Sequence, residues 1–294
     1  MENLARFKKI LRTSVPLAMH TWRQLGGQVE YFAEPRSEDE LIDLLQAAQK
    51  EGIELRFLGT GTNVLVSDSG VPGMVVRLSA PEFCKIDTDP ASATVSVGAG
   101  AKLGRVITSA VYGGLAGLEG LIGIPGTVGG AVHNNISTSD GDIAQWIESV
   151  RVVRPGGEVA EFAGEHLDFA ETDDPFENGI ITACRFRLLP EEAEELSRRL
   201  QKIWILRKKG QPIGYQGAGW LFKDPSGASA SELIDDAGLK GTRIGGAVIC
   251  DRNPNFVLVE PECSSDDVHR LIRLIQTQVR ERSGIELETD LTLW

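Results

Sequence analysis

The 294 residues include 30 Lys and Arg against 42 Asp and Glu, a formal net charge of −12, with 41% hydrophobic and 24% charged residues. This length accommodates two or three domains, and the composition is that of an ordinary globular protein. The acidic balance excludes general binding to nucleic acid or to an anionic membrane surface, because both require clustered basic residues.

The cysteine spacing and the hydropathy pattern limit the cellular compartments in which the protein is expected. The four cysteines are far apart and lack the spacing of a zinc site, so they are expected to be reduced thiols. No stretch is apolar over the length that crosses a membrane, and the first residues lack the apolar core of a secretory signal. These features predict a cytoplasmic protein that is not inserted in a membrane and holds no metal.

The first predicted unit spans residues 1–80 and mixes one helix with strands. A capping box of Ser37 and Glu40 predicts the start of a helix that ends at Gly52. Apolar runs then predict strands at 55–58, 64–66 and 75–78.

The second predicted unit spans residues 81–190. A strand at 93–97 precedes a helix at 103–111, which ends at a pair of glycines. Turn residues 155–157 join two apolar runs and predict a hairpin. The strands of that hairpin and the strand that closes the unit are predicted at 150–153, 159–162 and 180–189.

The third predicted unit spans residues 191–294, so the whole chain is predicted to be α+β. Pro190 precedes an amphipathic helix over 191–209. Ser229 and Glu232 predict a capping box for the next helix, and Ser264 is the expected cap of the last one. Strands are predicted at 247–249, 256–259 and 285–293.

Two glycine-rich loops are the most informative local feature. They read Gly59-Thr60-Gly61-Thr62-Asn63 and Gly123-Ile124-Pro125-Gly126-Thr127-Val128-Gly129-Gly130-Ala131. Glycine lets backbone N–H groups approach a diphosphate closely, which predicts a phosphorylated cofactor. Neither loop fits the dinucleotide fingerprint or the P-loop, and tight turns or close packing are the alternative reasons for the glycines.

Both loops belong to a longer series of motifs in a fixed order. The motifs are residues 25–32, 59–66, 117–132, 218–219, 222–223, 237–241 and 244–247. Through them nearly the whole chain resembles the UDP-N-acetylenolpyruvoylglucosamine reductase (UDP-N-acetylmuramate dehydrogenase, MurB) family. The resemblance implies a two-part FAD-binding region, 1–80 and 81–190, followed by a smaller C-terminal UDP-sugar domain, 191–294.

The resemblance also implies cofactors, a reaction and binding residues. NADPH reduces FAD in this family, and an enolpyruvyl UDP-sugar is then reduced to UDP-N-acetylmuramate, a peptidoglycan precursor. Both glycine loops and Asn135 are implied in FAD binding. Four residues lie in segments that the resemblance implies in binding the UDP-sugar: Lys209, Lys223, Asp224 and Lys240. A solvent-exposed basic helix end, favoured by the helix dipole, explains the lysines equally well.

Three positions depart from the catalytic pattern of the family. Trp220 stands where the family has a proton-donating serine, and an indole N–H cannot serve as a general acid. Thr172, in a run of acidic residues, stands where the family has an anion-stabilising arginine. Asp290 keeps the carboxylate of a catalytic glutamate but is one methylene shorter.

These departures predict an FAD-binding protein whose reductase activity is lost or strongly reduced. Trp220 is expected to fill the pocket rather than to stack on a ligand. Two alternatives stay open. One is an active flavin oxidoreductase with the family's substrate or a changed one, and the other is a non-catalytic sensor or scaffold that binds flavin, a nucleotide-sugar or a protein partner.

Overall fold

A computed structural model describes residues 2–138, 141–169, 175–210 and 219–294 of the chain. Over these residues the helices are α1 (Glu38–Lys50), α2 (Leu103–Tyr112), α3 (Val128–His133), α4 (Ala193–Gly210), α5 (Ala230–Asp236) and α6 (Ser265–Ser283). The strands are β1 (Leu11–Pro16), β2 (Gln28–Ala33), β3 (Leu55–Phe57), β4 (Val64–Leu65), β5 (Val71–Val76), β6 (Ile86–Asp89), β7 (Thr94–Gly98), β8 (Leu115–Ala116), β9 (Ser137–Thr138), β10 (Gly141–Asp142), β11 (Ile147–Val153), β12 (Val159–Ala163), β13 (Ile180–Arg187), β14 (Leu189–Pro190), β15 (Gly219–Trp220), β16 (Arg243–Ile244), β17 (Ala247–Ile249), β18 (Phe256–Val259) and β19 (Thr292–Leu293). The mixture of helices and strands confirms the α+β prediction. None of the helices in these ranges is long and apolar enough to span a membrane.

The chain divides into two compact units, each assembled from three segments. Unit 1 comprises Met1–Thr13, Tyr31–Gly59 and Gly73–Ile205. Unit 2 comprises Ser14–Glu30, Thr60–Pro72 and Leu206–Trp294. The boundaries of the three domains expected at 1–80, 81–190 and 191–294 stay a prediction.

Unit 1 is built around a five-stranded antiparallel sheet with the strand order β12-β11-β13-β7-β6. The expected hairpin is confirmed as β11 and β12, and helices α1 and α2 each bury one apolar face in the core of the unit. Ser37 caps α1 as expected, because its Oγ accepts a hydrogen bond from the backbone N–H of Glu40 at 3.2 Å. The Glu40 carboxylate accepts instead from the backbone N–H of Arg36 at 2.8 Å, so only half of the expected capping box forms.

Unit 2 contains a four-stranded antiparallel sheet with the order β15-β18-β17-β16 and a short parallel pair of β4 and β19. Helix α6 packs its apolar side into the core of this unit. Ser264 caps α6 as expected and forms a full capping box with Asp267. Gly284, in the left-handed conformation with φ of 74°, ends the helix.

Two expectations for unit 2 are wrong. The Ser229 side chain makes no capping hydrogen bond to α5, and the Asp224 carboxylate accepts from the first N–H of that helix, of Ala230, at 2.7 Å. The segment 285–293 is not one strand, since the strand there is limited to β19. Earlier in the segment, Thr289 makes an isolated antiparallel bridge to Phe222, whereas β19 pairs parallel with β4, and these opposite directions preclude one continuous ladder.

Candidate functional site

The second glycine loop, residues 123–131, lies in unit 1 and leads into α3. Gly126 has φ of 154°, a conformation that side-chain-bearing residues rarely adopt. Thr127 caps the helix, with its Oγ1 accepting from the backbone N–H of Gly130 at 3.4 Å. The loop therefore turns sharply and presents the first turn of a short helix.

Two close approaches in unit 1 leave no room for a side chain. A Cβ on Gly129 would lie 3.0 Å from the Cβ of Ala99, whose carbonyl accepts from the Gly129 N–H at 2.8 Å. A Cβ on Gly59 would lie 2.6 Å from Oγ1 of Thr127. The two loops that were expected to hold one cofactor thus meet at Gly59 and Thr127.

The other predicted cofactor residues of unit 1 make structural contacts. Ile124 packs against the core, and Ala131 is buried in it. Pro125, between them, is exposed. Asn135, in the left-handed conformation with φ of 40°, accepts a hydrogen bond on Oδ1 from the N–H of Ala144 at 3.2 Å. These contacts fix the ends of the loop, and the role of each residue towards FAD stays a prediction.

The rest of the first loop, Thr60 to Asn63, lies in unit 2. Gly61 has φ of 65°, and a Cβ on it would lie 2.6 Å from Cα of Thr21. The Oγ1 atom of Thr60 is buried and has no hydrogen-bond partner among the described residues. A buried hydroxyl without a partner is costly, so this atom fits a position that a bound polar group completes.

Arg23 is a buried cation beside this loop, only 2% exposed. Its Nη1 donates to the carbonyl of Thr62 at 3.0 Å, and its Nη2 donates to the carbonyl of Trp220 at 3.2 Å. Burial lowers the pKa of Arg23 to about 10, and the charge of Asp290 opposes that shift. Sequence reasoning missed this residue, because arginine is ordinarily expected at the surface.

Asp290 is the acid that faces Arg23. Its carbonyl accepts a hydrogen bond from Nδ2 of Asn63 at 2.8 Å, and its N–H donates to the carbonyl of Leu221 at 2.9 Å. Burial raises the pKa of Asp290, while the charges of Lys223 and Arg23 lower it and Glu288 raises it. Asp290 is therefore a half-buried carboxyl with a raised pKa, as a proton donor requires.

Trp220 lies on β15 opposite Phe256 of β18. The two ring centroids are 4.4 Å apart at 47°, and the indole is 39% exposed. Within unit 2 the ring covers Phe256 and keeps an accessible face, and the expectation that Trp220 fills the substrate pocket stays a prediction.

Asn255 fixes the segment that follows Trp220, and sequence reasoning missed it as well. The side chain is 1% exposed. Its Oδ1 accepts from the N–H of Phe222 at 3.0 Å, and its Nδ2 donates to the carbonyl of Phe222 at 2.8 Å. The side-chain amide of Asn255 thus makes the two hydrogen bonds that a neighbouring strand would otherwise make to Phe222.

The predicted substrate-binding residues have partners of their own. Lys223 pairs with Glu288 at 2.5 Å, and Lys240 pairs with Asp235 at 2.5 Å. Lys209 lies exposed in the last turn of α4, while Asp224 caps α5. Thr172 lies outside the described residues.

Comparison with known proteins identifies related chains. A family profile described as FAD binding domain matches residues 29–163, and one described as UDP-N-acetylenolpyruvoylglucosamine reductase, C-terminal domain, matches 211–294. The UDP-N-acetylenolpyruvoylglucosamine reductase of Rhodopirellula baltica is 33% identical over 285 residues, covering 97% of this chain and 93% of that protein. The Synechococcus sp. reductase is 37% identical over 281 residues, covering 94% and 93%. The crystal structure of this reductase (MurB) from Thermus caldophilus superposes with a TM-score of 0.82 at 35% identity, covering 97% of this chain and 99% of that one.

Proposed function

Because the chain belongs to the UDP-N-acetylenolpyruvoylglucosamine reductase family, we propose that it binds the enolpyruvyl UDP-sugar of that family and reduces it slowly or not at all. FAD is the cofactor that its FAD-binding domain implies, and NADPH is the reductant of the family. Bound FAD supplies the hydride chemistry. The substrate and the loss of rate are the proposal.

The described residues fit a flavin cofactor. The unpaired buried hydroxyl of Thr60 offers a hydrogen bond that the protein itself does not complete. Gly59 and Gly129 lie where a side chain would collide with other residues of unit 1, so both loops pack closely at these positions. The residues proposed to hold the FAD diphosphate are those of the two loops, 59–63 and 123–131.

The observation that carries the proposed loss of rate is the indole at position 220. Trp220 cannot release a proton at neutral pH, so it cannot protonate a substrate carbon. Asp290, held next to the same segment, is the acid that remains, and we assign residual proton delivery to its carboxyl group. One methylene less than glutamate places that proton farther from the substrate, and misplacement of about 1 Å costs about 100-fold.

The second contribution to the loss of rate is assigned to Thr172. An arginine at this position would stabilise the negative charge that develops on the substrate. Threonine among acidic neighbours removes that stabilisation, and the loss of one such group typically costs about 10² to 10³ in kcat.

Binding of the UDP-sugar is assigned to the basic residues of unit 2. Lys223 and Lys240 are more than one-third exposed, so their ion pairs with Glu288 and Asp235 exchange at low cost for contacts with a diphosphate. Lys209 adds a third positive charge at the end of α4. Asp224, whose carboxylate accepts from the first N–H of α5, is assigned a contact with the substrate from the same segment as Lys223.

Two measurements test the proposal in sequence. The visible absorption spectrum of the purified protein, before and after addition of FAD, should show flavin bands. A colourless protein that does not bind FAD would refute every flavoenzyme assignment made for this chain.

The second measurement is NADPH oxidation dependent on the enolpyruvyl UDP-sugar. Trp220→Ser should raise the rate at least about tenfold, and Trp220→Ser with Thr172→Arg should raise it further. Trp204→Ser is the matched control, since Trp204 is 38% exposed and Trp220 is 39% exposed, and it should leave the rate unchanged. No gain in the double variant would contradict the assignment of this substrate.

A further inference from the structure

Arg23 has the largest fully buried side chain among the described residues. The turn that carries it is fixed by its own backbone contacts. Trp22 donates its N–H to the carbonyl of Gly61 at 3.0 Å, and the Thr21 hydroxyl donates to the carbonyl of Leu25 at 2.8 Å. The position of the guanidinium is therefore set by the fold of unit 2.

The guanidinium connects two segments that carry different parts of the proposed chemistry. Through Thr62 it holds the first glycine loop, and through Trp220 it holds the segment at the position of the lost proton donor. Its Nε has no partner among the described residues, although the atom is buried. Two carbonyls do not neutralise a buried cation, so the arrangement needs a nearby anion.

Asp290 is the acid beside these segments, because Asn63 Nδ2 donates to its carbonyl at 2.8 Å and its own N–H donates to the carbonyl of Leu221 at 2.9 Å. The other groups that face its carboxyl are Lys223 and Glu288. Lys223 is 55% exposed and Glu288 is 72% exposed, and they pair with each other, so solvent and salt screen both charges. The charge of Arg23 is not screened in this way, because its side chain is almost wholly buried.

We propose that Arg23 is a positioning residue for Asp290, and that its buried positive charge keeps this carboxyl next to the Trp220 segment and able to ionise. The functional meaning rests on the proposed role of Asp290 as the remaining acid. A general acid must release its proton and regain it at the working pH. A buried carboxyl without its cation would hold the proton and deliver it poorly.

The test follows the ionisation of Asp290 directly. Protein labelled with ¹³C at the aspartate side-chain carboxyls is titrated by NMR, and the Asp290 signal is assigned by its loss in Asp290→Asn. Arg23→Gln should raise the titration midpoint by about 1 pH unit or more. Arg23→Lys keeps the charge without the two-pronged contact and should leave the midpoint close to that of the unaltered protein. An unchanged midpoint in Arg23→Gln would overturn the proposal.

A control variant and a titration of Arg23 itself complete the test of the coupling between Arg23 and Asp290. Arg243→Gln removes an exposed cation that pairs with Glu260 elsewhere in unit 2, and it should not move the midpoint. If Arg23→Gln does not fold, the coupling is measured from the other partner. The midpoint of Arg23 itself, near pH 10, should fall in Asp290→Asn by the same coupling. A constant Arg23 midpoint in that variant would equally overturn the proposal.

These titrations need neither FAD nor turnover. A failure to bind flavin or to reduce the UDP-sugar would therefore count against the proposed function alone. In the unaltered protein, where Asp290 is the assigned acid, removal of the Arg23 charge should also move the alkaline limb of the kcat/KM profile to higher pH. A purely structural role would lower that profile without moving it.

Discussion

Replacing Gly219 by alanine is expected to displace Arg23 and to destabilise the protein by about 3 kcal/mol. A Cβ at this position would overlap Nη2 of Arg23 and lie 2.8 Å from its Cζ, where ordinary contacts begin at 3.4 Å. The end of an arginine side chain usually moves aside easily. Here it is 2% exposed and bonded to the carbonyls of Thr62 and Trp220, so movement breaks two charge-assisted hydrogen bonds inside the protein.

The assay is thermal or urea unfolding of the variant beside the unaltered protein. A loss of about 3 kcal/mol corresponds to a melting temperature roughly 5 °C lower for a chain of this size. Gly104→Ala is the matched control, because a Cβ on Gly104 of α2 meets nothing within 4 Å. Alanine there should stabilise the protein by up to about 1 kcal/mol.

Gly219→Ala in an Arg23→Met background tests whether the loss of stability arises from the collision between the added Cβ and the Arg23 guanidinium. With the guanidinium gone, Gly219→Ala should add little further loss. A Gly219→Ala protein as stable as the unaltered one would refute the reasoning, because Arg23 would then be free to move. Equal losses in both backgrounds would refute it too, since the cost would not arise from Arg23.

Three further predictions concern single side chains. Asn255→Ala leaves the N–H and the carbonyl of Phe222 unpaired inside unit 2 and should cost about 2–4 kcal/mol in urea unfolding, whereas exposed Asn134→Ala should change stability by less than about 0.5 kcal/mol. Thr127→Val removes the cap of α3 and should cost about 1 kcal/mol and weaken FAD binding, whereas Thr127→Ser should restore both, as measured by unfolding and flavin fluorescence. Burial raises the pKa of Asp290 above its unfolded value, so the folded state binds this proton first. Relative to Asp290→Asn, the unaltered protein should gain stability as the pH falls towards the unfolded aspartate pKa of about 3.9, and a constant difference would contradict the shift.

The sequence predicted the local structure well where one short motif decides it. Ser264 and Asp267 form their capping box because donors and acceptors three residues apart meet within one helical turn. The same reasoning failed at Ser229, whose side chain makes no capping hydrogen bond, while the Asp224 carboxylate, six residues before Ala230, accepts from the first N–H of α5. A hydrogen-bond acceptor that lies outside the motif cannot be predicted by a rule based on fixed spacing.

The separate segments of the candidate site could be predicted from the sequence, but the contacts between them could not. Glycine patterns identified both loops, but the approach of Gly59 to Thr127 joins residues that lie far apart in the chain and depends on tertiary packing. Arg23 and Asn255 escaped notice for another reason. Neither residue type signals burial, and their roles come from the carbonyl and amide groups that the fold brings to them.

The structure also explains how position 220 can change its side chain without changing the fold. The backbone of Trp220 is held by groups that ignore the side chain, with its carbonyl bonded to Arg23 and β15 paired to β18. The following residues are fixed by the Asn255 amide. A serine or a tryptophan can therefore occupy the same backbone position, and the indole adds only its contact with Phe256, worth about 0.5–1.5 kcal/mol. The side chain at position 220 can thus be exchanged without loss of the segment's backbone contacts, whereas Arg23, Asn255 and Gly219 hold the segment in place.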